Sequence, residues 1–191
     1  RSWSAAHPMR PIERIKHHPA FRSWSKLPQM VFHQAGWWAC VLWMGWLGPV
    51  IMLAFLFVHL WVLRQHWRKE IFLIGLAALL GLALDNALAA LGAVTYVGTL
   101  RIGWAPLWLV AIWAGFGATL RHSQAVFVQS LRHALLTGVI GGPLAYMGGE
   151  TLERMTVSGP TGWLWIGALW GIVLAALYWA ARPRPVTNND R

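Results

Sequence analysis

No internal disulfide can form in this chain, whose 191 residues include one cysteine, Cys40. A lone thiol inside an apolar stretch reads as a small packed hydrophobe, and the compartment cannot be inferred from cysteine usage. Acidic residues are scarce as well, six against sixteen Lys and Arg, for a net charge of +10. There is no Gly-x-Ser-x-Gly elbow, no phosphate-cradling glycine loop and no His-Glu-x-x-His, so the common signatures of acyl, phosphoryl and zinc-dependent hydrolysis are missing. The N-terminal residues carry no apolar segment of the kind an export signal needs.

Apolar residues are what the chain has, 57 % of it. A helix needs about 20 mostly apolar residues to cross a hydrocarbon core of roughly 30 Å. By that measure six spans are expected, near 31–47, 49–64, 71–97, 104–121, 133–149 and 162–181. The fold class is all-α, a polytopic membrane helix bundle. The first two spans are short and meet at Gly48-Pro49, which reads as the turn of a helical hairpin or as the break in a re-entrant arm. Residues 1–29 read as a basic cytoplasmic arm, with translation from Met9 or Met30 as the alternative. Residues 30–181 form the bundle and 182–191 a cytoplasmic tail.

Cationic residues resist translocation, so they orient the spans. Arg1, Arg10, Arg14, Lys16, Arg22, Lys26, Arg64, Arg68, Lys69, Arg121, Arg132, Arg182, Arg184 and Arg191 fall on one side, leaving Arg101 and Arg154 on the other. Both termini are therefore expected in the cytoplasm, with basic residues against anionic lipid headgroups and no nucleic acid as partner. Trp43, Trp46, Trp104, Trp163 and Trp165 would line the outer interface, and Trp61, Trp67 and Trp179 the inner one. Trp37, Trp38, Trp113 and Trp170 lie deeper, as packing bulk or as an aromatic ligand cage.

Asp85 stands near the centre of the third span, followed by Asn86, and a mid-membrane carboxyl normally faces a bundle interior or a wet cavity. Gly141-Gly142-Pro143 would interrupt the fifth span at similar depth, as in transporter sites and in ordinary kinks. His33, His59 and His122 converge toward the cytoplasmic interface, joined there by Gln34 and Arg121. A polar pocket of Asp85, Asn86, His122, Arg121, His33, Gln34, His59, Gly141, Gly142, Pro143 and Tyr146 is the candidate site. A helical metal site usually shows two ligands at i, i+3 or i+4, and none occurs within the spans, so no metal is expected. The histidines could ligate haem axially, yet no spacing selects it, and no cofactor is expected. Gly138/Gly142 and Gly167/Gly171 permit close helix contact within or between chains, which leaves a homo-oligomer open.

The stretches Gln34-Ala35-Gly36-Trp37-Trp38-Ala39-Cys40-Val41, Pro106-Leu107-Trp108, Thr119-Leu120-Arg121-His122-Ser123 and Gly141-Gly142-Pro143-Leu144-Ala145-Tyr146 resemble those of a family of small bacterial integral membrane proteins catalogued as a domain of unknown function. The resemblance covers roughly residues 30–181. It implies a bacterial inner-membrane location and a role beside lipid modification, because such proteins are encoded near cyclopropane-fatty-acid-synthase-like methyltransferases and flavin-dependent oxidoreductases. Asn is expected before the His-Ser pair, where this chain has Arg121. An accessory protein that presents a fatty-acyl group to a lipid-modifying enzyme is the leading expectation. A proton-coupled transporter, a membrane-embedded enzyme with His122 as base and Asp85 as its partner, and a structural subunit are the alternatives, so enzymatic activity is left open.

Overall fold

The structure, a computed structural model, describes residues 26–182, without the side chains of Lys26, Val126 and Phe127. Among the described residues there are six α-helices: α1 (Lys26–Leu42), α2 (Leu47–Val62), α3 (Trp67–Ala90), α4 (Leu107–Thr119), α5 (Leu131–Thr151) and α6 (Gly159–Ala181). Four short strands, β1 (Val94–Tyr96), β2 (Arg101–Ile102), β3 (Ala105–Pro106) and β4 (Met155–Val157), form two antiparallel ribbons, β1 with β4 and β2 with β3. The bundle is thus predominantly helical but not purely so. The remaining residues of the expected N-terminal arm, 1–25, and of the tail, 183–191, lie outside the described residues.

Several boundaries differ from those expected of the sequence. The α1–α2 turn comes earlier than Gly48-Pro49, at Trp43 to Trp46, and Pro49 lies in the first turn of α2, where its missing N–H has no helical partner to lose. Gly48 serves a different purpose: a Cβ there would stand 2.6 Å from Cys40 Cα, so its hydrogen is what lets α2 approach α1. Helix α3 stops at Ala90 because Gly92, at φ +67°, turns the chain into β1 in the left-handed conformation that glycine tolerates. Val94 then pairs with Val157, Thr95 with Thr156 and Tyr96 with Met155. Helix α1 begins at Lys26, inside the expected arm, and Gln29 is fully buried in the body of the protein.

Helix length also bears on the spans. Arg64–Ala90, counting the 3-10 turn ahead of α3, and Gly159–Ala181 are long and apolar enough to cross a membrane, at 27 and 23 residues. Helices α2 and α4 are apolar but shorter, and the 13 residues of α4 reach only about 20 Å.

The packing falls into two groups joined by α3. Helices α1, α2 and α4 pack on one another, α3 lies against both α4 and α6, and α5 lies chiefly on α6. Bare backbone makes the α5–α6 contact, since a Cβ on Gly138 would meet Gly171 Cα and the Trp170 carbonyl at 2.6 Å. Helix α5 is continuous through Pro143, and the expected interruption is absent. Its first turn is capped by Ser130, whose Oγ accepts the His133 N–H at 3.2 Å. Arg154 ties the far end of α5 back to α1 through a 2.9 Å bond from Nε to the Val41 carbonyl. Between α1 and α4 on one side and α5 and α6 on the other, a cavity remains.

Candidate functional site

The cavity measures about 350 Å³. Trp37 of α1, Trp108, Trp113 and Phe116 of α4, Tyr146 of α5 and Trp170 of α6 give it aromatic walls, while His33, Gln34, Gln124 and Thr137 bring polar atoms. None of the lining residues is Lys, Arg, Asp or Glu. His33 is 8 % exposed and its Nε2 has no hydrogen-bond partner, nor has the buried Nε1 of Trp170. A buried polar atom left unpaired costs about 1–3 kcal/mol, and two residues of one cavity lining carry such atoms.

Asp85 lies directly behind this wall and is completely buried. Its Oδ1 accepts from the Tyr96 hydroxyl at 3.0 Å and from the Tyr146 hydroxyl, and its Oδ2 accepts from Trp113 Nε1 at 3.0 Å. Three elements outside α3 therefore converge on one carboxyl. Tyr146 and Trp113 both line the cavity and donate to Asp85, so their rings separate the carboxyl from the open space. Gly81, one helical turn before Asp85, makes room for the arrangement, because any Cβ there would overlap the Trp113 ring.

A second polar centre lies at the basic end. His59 of α2 brings Nε2 to 3.2 Å from Glu70 Oε2, and His122, in the turn after α4, brings Nε2 to 3.3 Å from the same oxygen. Arg121 stands 3.6 Å from Glu70 Oε1. The rings of His59 and His122 meet edge to face at 5.4 Å. One donor atom from each of His59, Glu70 and His122 fits within 4.8 Å, a composition that suits zinc or a similar transition metal.

Gln29 argues against that use. Its Oε1 accepts the Ser123 backbone N–H at 3.0 Å, and its Nε2 donates to the Ala118 carbonyl at 3.2 Å, which fixes the amide's orientation. The second hydrogen on Nε2 points at His59 Nδ1, 3.2 Å away, so Nδ1 is an acceptor. A neutral His59 then carries its proton on Nε2, directed at Glu70. A metal ligand needs that nitrogen bare, with the other N–H held by an acceptor. The trio as built is a buried carboxylate held by hydrogen bonds.

The expected pocket is thus divided. His33, Gln34, Gly141 and Tyr146 line the cavity, with Asp85 behind it, whereas His59, Arg121 and His122 belong to the Glu70 centre. Asn86 belongs to neither. Successive helix residues point about 100° apart, and Asn86 faces the β2–β3 turn, accepting from Trp104 N at 2.7 Å and donating to the carbonyls of Leu82 and Ile102. Gly142 packs on the Trp170 ring and Pro143 on Gly167, so both serve the α5–α6 contact.

Four residues of these centres escaped the sequence reading: Gln29, Glu70, Tyr96 and, as a specific donor, Trp113. Glu70 was the most detectable, being one of only six acidic residues and lying at the start of an apolar helix. The metal-like trio was invisible to spacing rules because its members come from three separate elements.

No curated protein and no solved structure matches the chain. A family model does, over residues 26–176, and its start coincides with the first residue of α1. By that match, the chain belongs to the family described as protein of unknown function (DUF2878).

Proposed function

We propose that this is a multi-pass membrane protein, of the bacterial inner membrane with both termini cytoplasmic, which holds an amphipathic, lipid-like guest in its central cavity as an accessory to fatty-acyl modification. Membrane residence is supported by the surface. Only 33 % of the apolar window in each of the two long helices is buried within the protein, so the rest needs an apolar solvent. Exposed Trp43, Trp46 and Trp104 toward one end, and Trp61, Trp67 and Trp179 toward the other, suit two headgroup belts. Arg64, Arg68, Lys69, Arg121, Arg132 and Arg182 lie toward a single end, which supports the orientation.

The observation that carries the binding role is the cavity itself: aromatic and aliphatic over most of its lining, with polar atoms of His33, Gln34, Gln124 and Thr137 in the same wall. This suits a molecule with an apolar body and a small polar group. An accessory role is preferred to catalysis because the Glu70 centre is separate from the cavity lining, and its imidazoles are already engaged by Glu70.

Gly141 gives a clean test. It lines the cavity, and a Cβ added there would touch only Thr137 Cγ2, at 3.8 Å. Gly141→Leu should fill the space while leaving the melting temperature in detergent close to wild type. Wild-type protein purified in mild detergent should then carry lipid-like molecules, detected by untargeted mass spectrometry, that the variant lacks, and cells dependent on the variant should show altered membrane acyl composition. Equal lipid content in the two proteins would refute the reading.

A further inference from the structure

We propose that the cavity selects a hydrophobic organic cation, an alkylammonium group carried on an apolar body, with Asp85 as its counter-charge; the inference rests on the reading of the cavity as a guest site. Behind the aromatic wall of the cavity stands a carboxyl with no cation paired to it among the described residues. The cavity lining contributes no Lys, Arg, Asp or Glu, and the acidic group immediately behind it is Asp85. Among the described residues no Lys, Arg or His pairs with that carboxyl, whose three donors are the neutral Tyr96, Tyr146 and Trp113. Glu70, by contrast, has Arg121 beside it. Arg154, at one end of the cavity, donates to the Val41 carbonyl.

The aromatic walls complete the argument. Trp113 and Trp170 have ring centroids 4.3 Å apart, Trp170 meets Tyr146 edge-on at 6.2 Å, and Phe116 stands 5.9 Å from Trp113. Ring faces attract ammonium groups, most strongly where water is excluded. Trp113 and Tyr146 are better cation hosts than isolated rings, because donating a hydrogen bond to a carboxylate shifts electron density into the ring. His33 Nε2, unpartnered and more than nine-tenths buried, offers a lone pair to an ammonium N–H when the imidazole is neutral. An anion in the same place would meet Asp85 across one ring's width in a medium of low dielectric, with no cationic side chain in the lining to offset the repulsion. A neutral guest would gain the apolar contacts and the hydrogen bonds of the wall, without the attraction between opposite charges.

The experiment uses full-length protein in nanodiscs of zwitterionic lipid and calorimetric titration with decylammonium, decanol and decanoate, with empty nanodiscs subtracted. Wild type should bind the cation saturably, more tightly than the alcohol, and the carboxylate least. In Asp85→Asn the ratio of cation to alcohol affinity should fall by roughly tenfold or more. Alcohol and decanoate binding as tightly as the cation, or a ratio unchanged in the variant, would overturn the charge assignment and leave the cavity's role as a guest site standing. Absence of saturable binding for all three would remove both. Should Asp85→Asn fail to fold, the ranking of the three guests on wild type decides the matter without it.

Discussion

Glu70 and Asp85 are carried by the same helix and are both out of reach of water, yet the protein settles them in opposite ways. Glu70 sits at the basic end, where His59, His122 and the partly exposed Arg121 surround it and a positive charge is at hand. Asp85 sits deep in the bundle, where the partners among the described residues are two phenols and an indole. A carboxylate with a cationic neighbour is neutralised in place and becomes a structural fastening. One whose donors among the described residues are all neutral has no cation beside it, and a carboxyl so placed in apolar surroundings is commonly reserved for function.

Removing each carboxyl sharpens the contrast. Asp85→Ala should be the most damaging change, because it strands three buried donors at about 1–3 kcal/mol each. The measurement is detergent-induced unfolding of the purified protein. Combining Asp85→Leu with Tyr96→Phe and Tyr146→Phe should recover most of that loss, since removing both sides of a buried hydrogen bond costs far less than removing one. Failure of the triple variant to regain stability would mean that Asp85 matters for some reason other than its hydrogen bonds.

Glu70→Ala should cost less, about 2–3 kcal/mol, because Arg121 can turn to solvent and only the buried imidazoles are left wanting. A loss equal to that of Asp85→Ala would erase the distinction between the two sites. Gln29→Glu is subtler. A carboxylate there would accept from His59 Nδ1, move the proton off Nε2 and free that nitrogen for a metal. Zinc should therefore raise the melting temperature of the variant and leave wild type unmoved. A zinc-induced rise in wild type would show that the trio is a metal centre after all. Arg121→Asn should have the smallest effect, below about 1 kcal/mol, because Arg121 is partly exposed, its contact is long at 3.6 Å, and His59 and His122 still hold the buried Glu70.

The apolar runs made the helices legible, and Asp85 announced itself by standing alone in one of them. Its partners did not. Tyr96 falls beyond the end of α3 in a strand whose pairing with Met155 could not be read from either segment, since three-residue strands carry too little pattern to register. Asn86 looked like part of the pocket because it adjoins Asp85, and helix geometry sends it elsewhere. Gly141-Gly142-Pro143 looked like a break, but the close seat of α5 on α6 keeps the helix intact, and only Gly141 of the three faces the cavity. His33, His59, His122, Gln34 and Arg121 were expected at one depth; His59, His122 and Arg121 gather around Glu70, which was passed over among the basic residues before it. Gln29 was hidden by a domain boundary drawn on composition, since a polar residue in a polar stretch gives no sign that it will be enclosed.

Gln29 has a consequence for how the chain is assembled. Its amide is completed by Ala118 and Ser123, 89 and 94 positions downstream. Glu70 likewise waits for Arg121 and His122. During synthesis from the N-terminus, a nascent chain that has delivered α1, α2 and α3 therefore holds an unfinished acidic edge and an imidazole of undecided protonation. Arrival of the segment from Ala118 to Ser123 closes both at one stroke, which makes α4, the shortest of the six helices, the step that commits the first half of the molecule to its final form.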